Sequence, residues 1–320
     1  MTTATVRRIA PEFRSYPDRE SWLAARKLGI GSSDAAALVG ESNFSSPLQL
    51  NYLKRNLIDE QRTAEEMEAL DWHRERETEI ARWWWSRQVP KAGDLRLYQE
   101  LGDESVELAD PGDFAVAWRT VEGLPLFATF DRVLRMDDRM LAPVELKNVS
   151  AWMNAEWVEE PPLIYQLQVQ HQILVAGTDY AYLVASIGGQ PPKWAEVVAD
   201  HGVHEILIAT YRRFWSSVVR GEDLPADYRE VTSRAIAQRY PRNDGTVVDL
   251  VAGSEGLWEE RCRRHEDGKA AAERKDELTN ELKQRIGAAS YGKLMDGRVL
   301  SLIADRAGRR NLKEVKGEHD

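Results

Sequence analysis

Residues 126–135 read LFATFDRVLR and residues 142–149 read APVELKNV. Both stretches alternate in polarity, and Asp137-Asp138 between them suits a tight turn, so they read as two successive strands. Side chains alternate across a strand. Val144 and Leu146 then face the core, while Glu145 and Lys147 share the opposite face. Charge of this kind is costly to bury unless it is paired or bound to a metal. If the two strands pair as a hairpin, Asp131 lies next to Glu145. Two close carboxylates repel and raise each other's pKa. A divalent cation removes that conflict, and oxygen ligands of this type select Mg²⁺ or Mn²⁺. Such an ion polarises a phosphate and lowers the pKa of a bound water. Lys147 is placed to orient or deprotonate that water, or to neutralise developing charge. The backbone carbonyl of Leu146 is a further candidate ligand. A surface ion pair on an amphipathic hairpin would also use Glu-x-Lys, which is common by itself. An Asp one strand earlier makes the pattern more specific.

Upstream of the hairpin the chain reads as helices. PDRESWLAARKL (17–28) sets Trp22 and Leu23 on a different face from Arg26 and Lys27. In GIGSSDAAALVG (29–40), Gly29 and Gly31 end that helix, and Ser33 or Asp34 can cap the next. SPLQLNYLKRNLI (46–58) is amphipathic, with Pro47 suited to a first turn. Residues 64–88 form a long charged helix ending in RWWWSRQ. Trp83, Trp84 and Trp85 point in three directions, and core packing or a subunit contact is preferred for them over stacking on a base. Gly93, Asp94 and Gly102 mark loops, and FAVAW (114–118) reads as a strand.

Downstream, PLIYQLQVQHQILVA (162–176) is a helix stopped by Gly177. YAYLVASIG (180–188) and KWAEVVA (193–199) are strands joined by GGQPP, and HEILIATYRRFWSSVVRG (204–221) ends in a helix. Residues 255–288 are a charged helix, and YGKLMDGRVLSLIAD a hairpin turning at Asp296-Gly297. Arg306, Arg309, Arg310 and Lys313 beyond it read as a solvated tail. The order predicts a mixed α/β (α+β) core, its central sheet flanked by helices, with helical additions at both ends. The expected division is a domain over 1–225 that carries the Asp131, Glu145 and Lys147 site and an extension over 226–320 packed on it.

Composition narrows the class. The 320 residues carry a net charge of −10 and are 42% hydrophobic, ordinary for a globular protein with a real core. No apolar run approaches the ~20 residues of a membrane span, and the N-terminus, MTTATVRRIAPEF, lacks a signal-peptide stretch. A cytoplasmic protein is expected, with no membrane partner. The single cysteine, Cys262, excludes an internal disulfide, a cysteine zinc site and an iron–sulfur cluster. His201 and His204 are the one close histidine pair and read as a polar loop before a strand, since zinc needs about four ligands. The acidic balance disfavours a sequence-specific DNA binder but allows a local basic groove.

Four motifs in order, GIGSSDAAALVG, an early helix glutamate, Asp…Glu-x-Lys and YQLQVQHQILVAG, resemble the YqaJ-type viral recombinase family. That family is similar to the lambda exonuclease, within the PD-(D/E)XK nuclease superfamily, and the resemblance covers roughly residues 20–220. It implies a restriction-endonuclease-like core with Asp131 and Glu145 as metal ligands and Lys147 as catalytic lysine. Glu77, in RERETEIARW, matches the helix glutamate that completes the metal site; Glu75 and Glu79 are alternatives, because His73 stands where the family usually has glycine. Gln168 matches the family's glutamine, and Tyr165, Gln168 and Gln172 share one helical face, with Tyr165 a candidate DNA-binding residue. A glutamine can bridge the lysine, the attacking water and a phosphate. Gln170 and His171 read as structural or exposed. Arg26 matches an arginine that contacts the 5′-terminal phosphate, Ser33 offers a loop-to-helix amide that favours a phosphate or else serves as an N-cap, and Asp34 reads as a cap.

The resemblance thus implies a Mg²⁺-dependent exonuclease, with Mn²⁺ as substitute, that digests one strand of linear duplex DNA from a 5′ end. A single-strand annealing partner and a homotrimer accompany that expectation. A structure-specific or restriction-like endonuclease and a non-catalytic DNA-end-binding module are the alternatives.

Overall fold

The computed structural model describes residues 10–60, 63–88, 106–151, 157, 160–242, 245, 247, 249–250, 252–286, 288–296, 298–304 and 310–315. The loop residues Gly93, Asp94 and Gly102, the turn residue Gly297, and Arg306 and Arg309 lie outside them. Contacts divide the chain into two compact units, Met1–Asn243 and Asp244–Asp320.

The first unit opens with β1 (Glu12–Ser15), α1 (Arg19–Arg26), β2 (Ile30–Gly31), a 3₁₀ turn (Ser32–Asp34), α2 (Ala35–Leu38), α3 (Pro47–Lys54) and α4 (Ala64–Gln88). Then come β3 (Glu107–Ala109), β4 (Ala115–Val121), β5 (Leu124–Ala128), β6 (Arg132–Met136) and β7 (Arg139–Val149). It closes with α5 (Leu163–Ala176), β8 (Tyr180–Ile187), β9 (Lys193–Val198), α6 (His201–Arg220) and α7 (Glu230–Arg239). Side-chain caps set the helix starts: Asp18 accepts from the Ser21 amide, Ser46 from Gln49 and Asp200 from Val203. Gly177, left-handed at φ 71°, ends α5.

Two sheets result, ordered β1-β4-β5-β2 and β3-β6-β7-β8-β9. LFATFDRVLR, expected as one strand, is two. Residues 129–131 break it, so β5 belongs to the first sheet and β6 to the second. The expected hairpin is β6–β7, antiparallel, with Arg132 opposite Val144 and a left-handed Asp137 in its turn. β7 and β8 are parallel, which demands a crossover. α5 is that crossover, and it packs against β4 and β5 of one sheet and β7 and β8 of the other. Its Leu167, Val175 and Ala176 join Ile30, Leu126 and Phe214 in one apolar cluster, while Val169 and Ile173 join Leu183 and Ala185 in another.

Several expectations change. His201 and His204 lie in the first turn of α6, not in a loop before a strand, because Asp200 starts a helix there that runs unbroken to Arg220. Against the expected division at 225/226, the contacts keep α7 with the first unit, where Ala235 packs against Leu48 and Tyr52 of α3 and against Ile58 beyond it. Ser33 is not a helix N-cap: it sits inside the 3₁₀ turn, and Asp34 reaches back instead to accept the Gly31 amide at 2.9 Å. Strands β1 and β3 and helix α7 had no expectation. Trp84 is fully buried against Tyr182 and Trp194, whereas Trp83 is partly exposed beside Arg87.

The second unit holds α8 (Ser254–Ile286), with no buried residue, and the antiparallel sheet β10 (Tyr291–Lys293), β11 (Val299–Ala304), β12 (Arg310–Val315). Arg310 and Lys313, read as a solvated tail, are therefore strand residues, held by pairing with Ala304 and Ser301. Cys262 is a free thiol. No described helix is long and apolar enough to cross a membrane.

Candidate active site

The break between β5 and β6 places Asp131 at the mouth of the hairpin, one residue before β6. Its Oδ2 accepts the Leu146 amide at 2.7 Å, which fixes it beside Glu145 on β7. Strand alternation does the rest: Val144 and Leu146 are buried among Leu134, Tyr182 and Val184, and Glu145 and Lys147 share the other face. Lys147 Nζ lies 2.5 Å from Glu145 Oε1, 3.2 Å from Gln168 Oε1 and 5.2 Å from the Tyr165 ring centre. Glu145 is almost wholly buried, so its charge needs donors. It has three: Lys147 and the Gln168 amide on Oε1, and the Gln172 amide on Oε2, each amide at 2.5 Å.

Glu77 comes from α4, whose Ile80, Ala81 and Trp84 are buried. Those residues are three, four and seven positions on, so Glu77 shares their inward face. The alternatives Glu75 and Glu79 are both exposed. Burial, then the Glu145 charge, pushes the Glu77 carboxyl up to about 7, against the pull of Lys147, Arg74 and Arg132. Burial also drives Asp131 well above the usual carboxylate range, with Glu145 and Glu77 adding to it. Burial works against the Lys147 charge, but Glu145 and Asp131 outweigh it and hold the ammonium more firmly protonated than usual. His73, where a glycine was expected, is exposed and lies 3.4 Å from the Asn148 amide nitrogen.

Three carboxylates against one lysine is an excess of negative charge built of hard oxygen donors, the chemistry that Mg²⁺ or Mn²⁺ fits. Asp131, Glu77 and one oxygen of Glu145 are the groups that would hold such an ion. In the arrangement seen, no three acidic, histidine or cysteine side chains among the described residues converge on one point. Both Glu145 oxygens are engaged by amine and amide donors instead, so Glu145 must release donors to ligate.

A second locus is built on α1 and the turn after it. Arg26 Nη2 donates to the exposed Ser33 Oγ at 2.9 Å, and its guanidinium lies over the Trp22 ring at 4.5 Å. Beneath it is a buried ion pair that the sequence did not suggest: Lys54 Nζ to Asp34 Oδ2 at 2.8 Å, with Lys54 also donating to the Arg26 carbonyl. Phe127 of β5 flanks both cations, 5.9 Å from Arg26 and 5.3 Å from Lys54. Phe127 and Asp131 are four residues apart, so the two loci lie within about 14 Å along the backbone. His171 ties them together. One ring nitrogen is 2.9 Å from the Phe127 carbonyl and the other 2.8 Å from the Tyr211 hydroxyl, while its helix carries Gln168 and Gln172. Burial pushes the His171 pKa down to about 4, so the ring is a neutral strut. Gln170 is structural as well, bonded to the Val198 carbonyl and the Asp200 amide. Spacing from Gln168 sets Gln172 on the site's face, and the structure makes it a donor to Glu145.

Residues 21–179 match the model of the YqaJ-like viral recombinase domain. The chain is 25% identical over 283 residues to the uncharacterised protein YqaJ of Bacillus subtilis (strain 168), covering 87% of this chain and 81% of that protein. Among solved structures, the alkaline exonuclease LHK-Exo of Laribacter hongkongensis aligns at a TM-score of 0.42 with 16% identity, over 63% of this chain and 94% of that one. A putative exonuclease from Eubacterium rectale aligns at 0.40 with 11% identity, over 76% and 98%.

Proposed function

From the premise that this chain belongs, through residues 21–179, to the YqaJ-like viral recombinase domain family, we propose that it is a divalent-metal-dependent deoxyribonuclease that digests one strand of linear duplex DNA from the 5′ end. The observation that carries this reading is Asp131, bonded to the Leu146 amide beside the Glu145–Lys147 pair at the mouth of the β6–β7 hairpin, with the partly buried Glu77 of α4 close enough for the Glu145 charge to raise its pKa. A bound Mg²⁺ would polarise the scissile phosphate and lower the pKa of a water beside it. The protein's own groups account for the remainder. Lys147, held charged, neutralises negative charge developing on the phosphate rather than removing a proton. Gln168 donates through its amide nitrogen to Glu145 and accepts from Lys147, so it fixes the ammonium's direction. Arg26 and Ser33 present a cation and a hydroxyl at one exposed spot, which suits the terminal phosphate of a DNA end.

The test uses linear duplexes with and without a 5′ phosphate, and closed circles, with Mg²⁺. Nucleotide release from linear DNA and intact circles are expected, and Lys147→Ala is expected to be slower by about 10²–10³-fold with DNA binding kept. Equal activity in Lys147→Ala would sink the assignment. Cleaved circles would favour an endonuclease, and end binding without nucleotide release a non-catalytic module.

A further inference from the structure

The carboxylate of Glu145 is asymmetrically held. Its Oε1 bonds Lys147 and Gln168, both partly exposed. Its Oε2 bonds Gln172, which is fully buried, at 2.5 Å. The orientation of the Gln172 amide is unambiguous in chemistry, because turning it over would set its oxygen against a carboxylate. The same orientation leaves Gln172 Oε1 buried without a hydrogen-bond partner. A buried amide oxygen with no donor is unfavourable, so the bond to Glu145 is the contact that sets this side chain.

We infer that Gln172 is a positioning residue for metal binding: it anchors Glu145 through Oε2 and leaves Oε1 as the oxygen that exchanges Lys147 and Gln168 for a divalent cation. This rests on the metal-dependent reading above. The physical basis is that a ligating carboxylate keeps one oxygen for the ion and has the other fixed by a donor behind it. Loss of such a donor typically lowers metal affinity by about 10–100-fold. Helix phase supports the assignment. Gln172 lies one turn beyond Gln168 on α5, and α5 is pinned at His171 to the Phe127 carbonyl and Tyr211, so the amide cannot drift from Glu145.

The experiment measures Mn²⁺ binding to the full chain without DNA, by loss of the free-ion paramagnetic resonance signal. Gln172→Met keeps length and volume and removes the donor; Gln172→Asn keeps a buried amide but falls one methylene short. Gln170→Met is the control, since Gln170 is an equally buried amide on the same helix whose partners are Val198 and Asp200. Both Gln172 variants are expected to bind Mn²⁺ about 10–100-fold more weakly, with Gln170→Met at the wild-type value. In nuclease assays the metal requirement should rise in the same proportion while KM for DNA stays put. In a Glu145→Gln background the Gln172→Met effect should vanish, as expected for groups acting through one contact. Wild-type affinity in both Gln172 variants overturns the inference, as does an equal loss in Gln170→Met. Failure of the wild-type chain to bind Mn²⁺ at all is a different result, which overturns the metal-dependent reading itself.

Discussion

Replacing Glu77 by Gln should stabilise the metal-free protein at alkaline pH and leave it unchanged in mild acid. The carboxyl is raised from 4.5 to about 7, by burial first and by Glu145 second. A group whose pKa is raised by folding contributes stability that is present below its unfolded value and is lost as pH rises through its folded value. The window for Glu77 is therefore pH 4.5 to about 7. At ~1.4 kcal/mol per unit the full shift corresponds to roughly 3.5 kcal/mol. Glu77 is partly exposed, and solvent screening discounts that figure, so about 1–2 kcal/mol is expected for this residue alone.

His171 acts oppositely. Its pKa is depressed to about 4, so its contribution is present above 6.5 and lost as pH falls toward 4. That limb is common to wild type and variant, and it cancels in the comparison. Urea unfolding in EDTA at pH 5, 6.5 and 8 reads the difference directly. A difference of at most a few tenths of a kcal/mol at pH 5, growing to an advantage of about 1–2 kcal/mol for Glu77→Gln at pH 8, is expected. Adding Mg²⁺ at pH 8 should reverse the order, since a ligand stabilises the form that binds it. A variant less stable than wild type at every pH, or a difference that does not grow with pH, would refute the reasoning.

Three other substitutions probe the second locus. A Cβ on Gly31 would stand 2.6 Å from Phe127 Cζ, and Phe127 is already packed on Trp118; Gly31→Ala should cost about 1–3 kcal/mol, and an unchanged Tm would contradict the packing described. Lys54→Met leaves the buried Asp34 without its cation and should cost about 3–5 kcal/mol, most of it recovered by adding Asp34→Asn; no recovery in the double variant would mean that the pair itself is not the cause. Arg26→Ala should narrow the preference for 5′-phosphorylated over 5′-hydroxyl ends, measured as a ratio of initial rates, while the rate on hydroxyl ends holds; an unaltered ratio would remove Arg26 from phosphate recognition.

What could be read in the sequence depended on whether a periodicity or a neighbour carried it. Strand alternation put Glu145 and Lys147 on one face, and an aspartate pair marked the turn, so the hairpin was legible. The switch of sheets inside LFATFDRVLR was not. The alternation continues through it, and the break follows from where β5 pairs with β2 and β4 and where β6 pairs with β7. Yet that break sets Asp131 at the mouth of the hairpin, and it carries the chain from Phe127 in one locus to Asp131 in the other. Lys54 was illegible for a similar reason. Its partners Asp34 and Arg26 are 20 and 28 positions away, and no local pattern marks a lysine that will be buried.

Glu77 and Gln172 are the instructive cases, because their signals were present and lay in helix phase. Among Glu75, Glu77 and Glu79, only Glu77 has Ile80, Ala81 and Trp84 at three, four and seven positions on. A helix that buries those three must turn Glu77 inward with them. The missing glycine is then of little consequence, since His73, one turn earlier, reaches Asn148 without disturbing that face. Gln172 follows the same rule from Gln168. What the phase alone left open was how an inward carboxylate or amide would be satisfied. The structure answers this for Gln172 with Glu145 Oε2. For Glu77 it shows a carboxyl with a raised pKa beside two other acids, a charge conflict inside the fold. A carboxyl held partly protonated near neutral pH beside other acids is poorly suited to a purely structural role, and a divalent cation drawn to such oxygen donors would relieve the conflict.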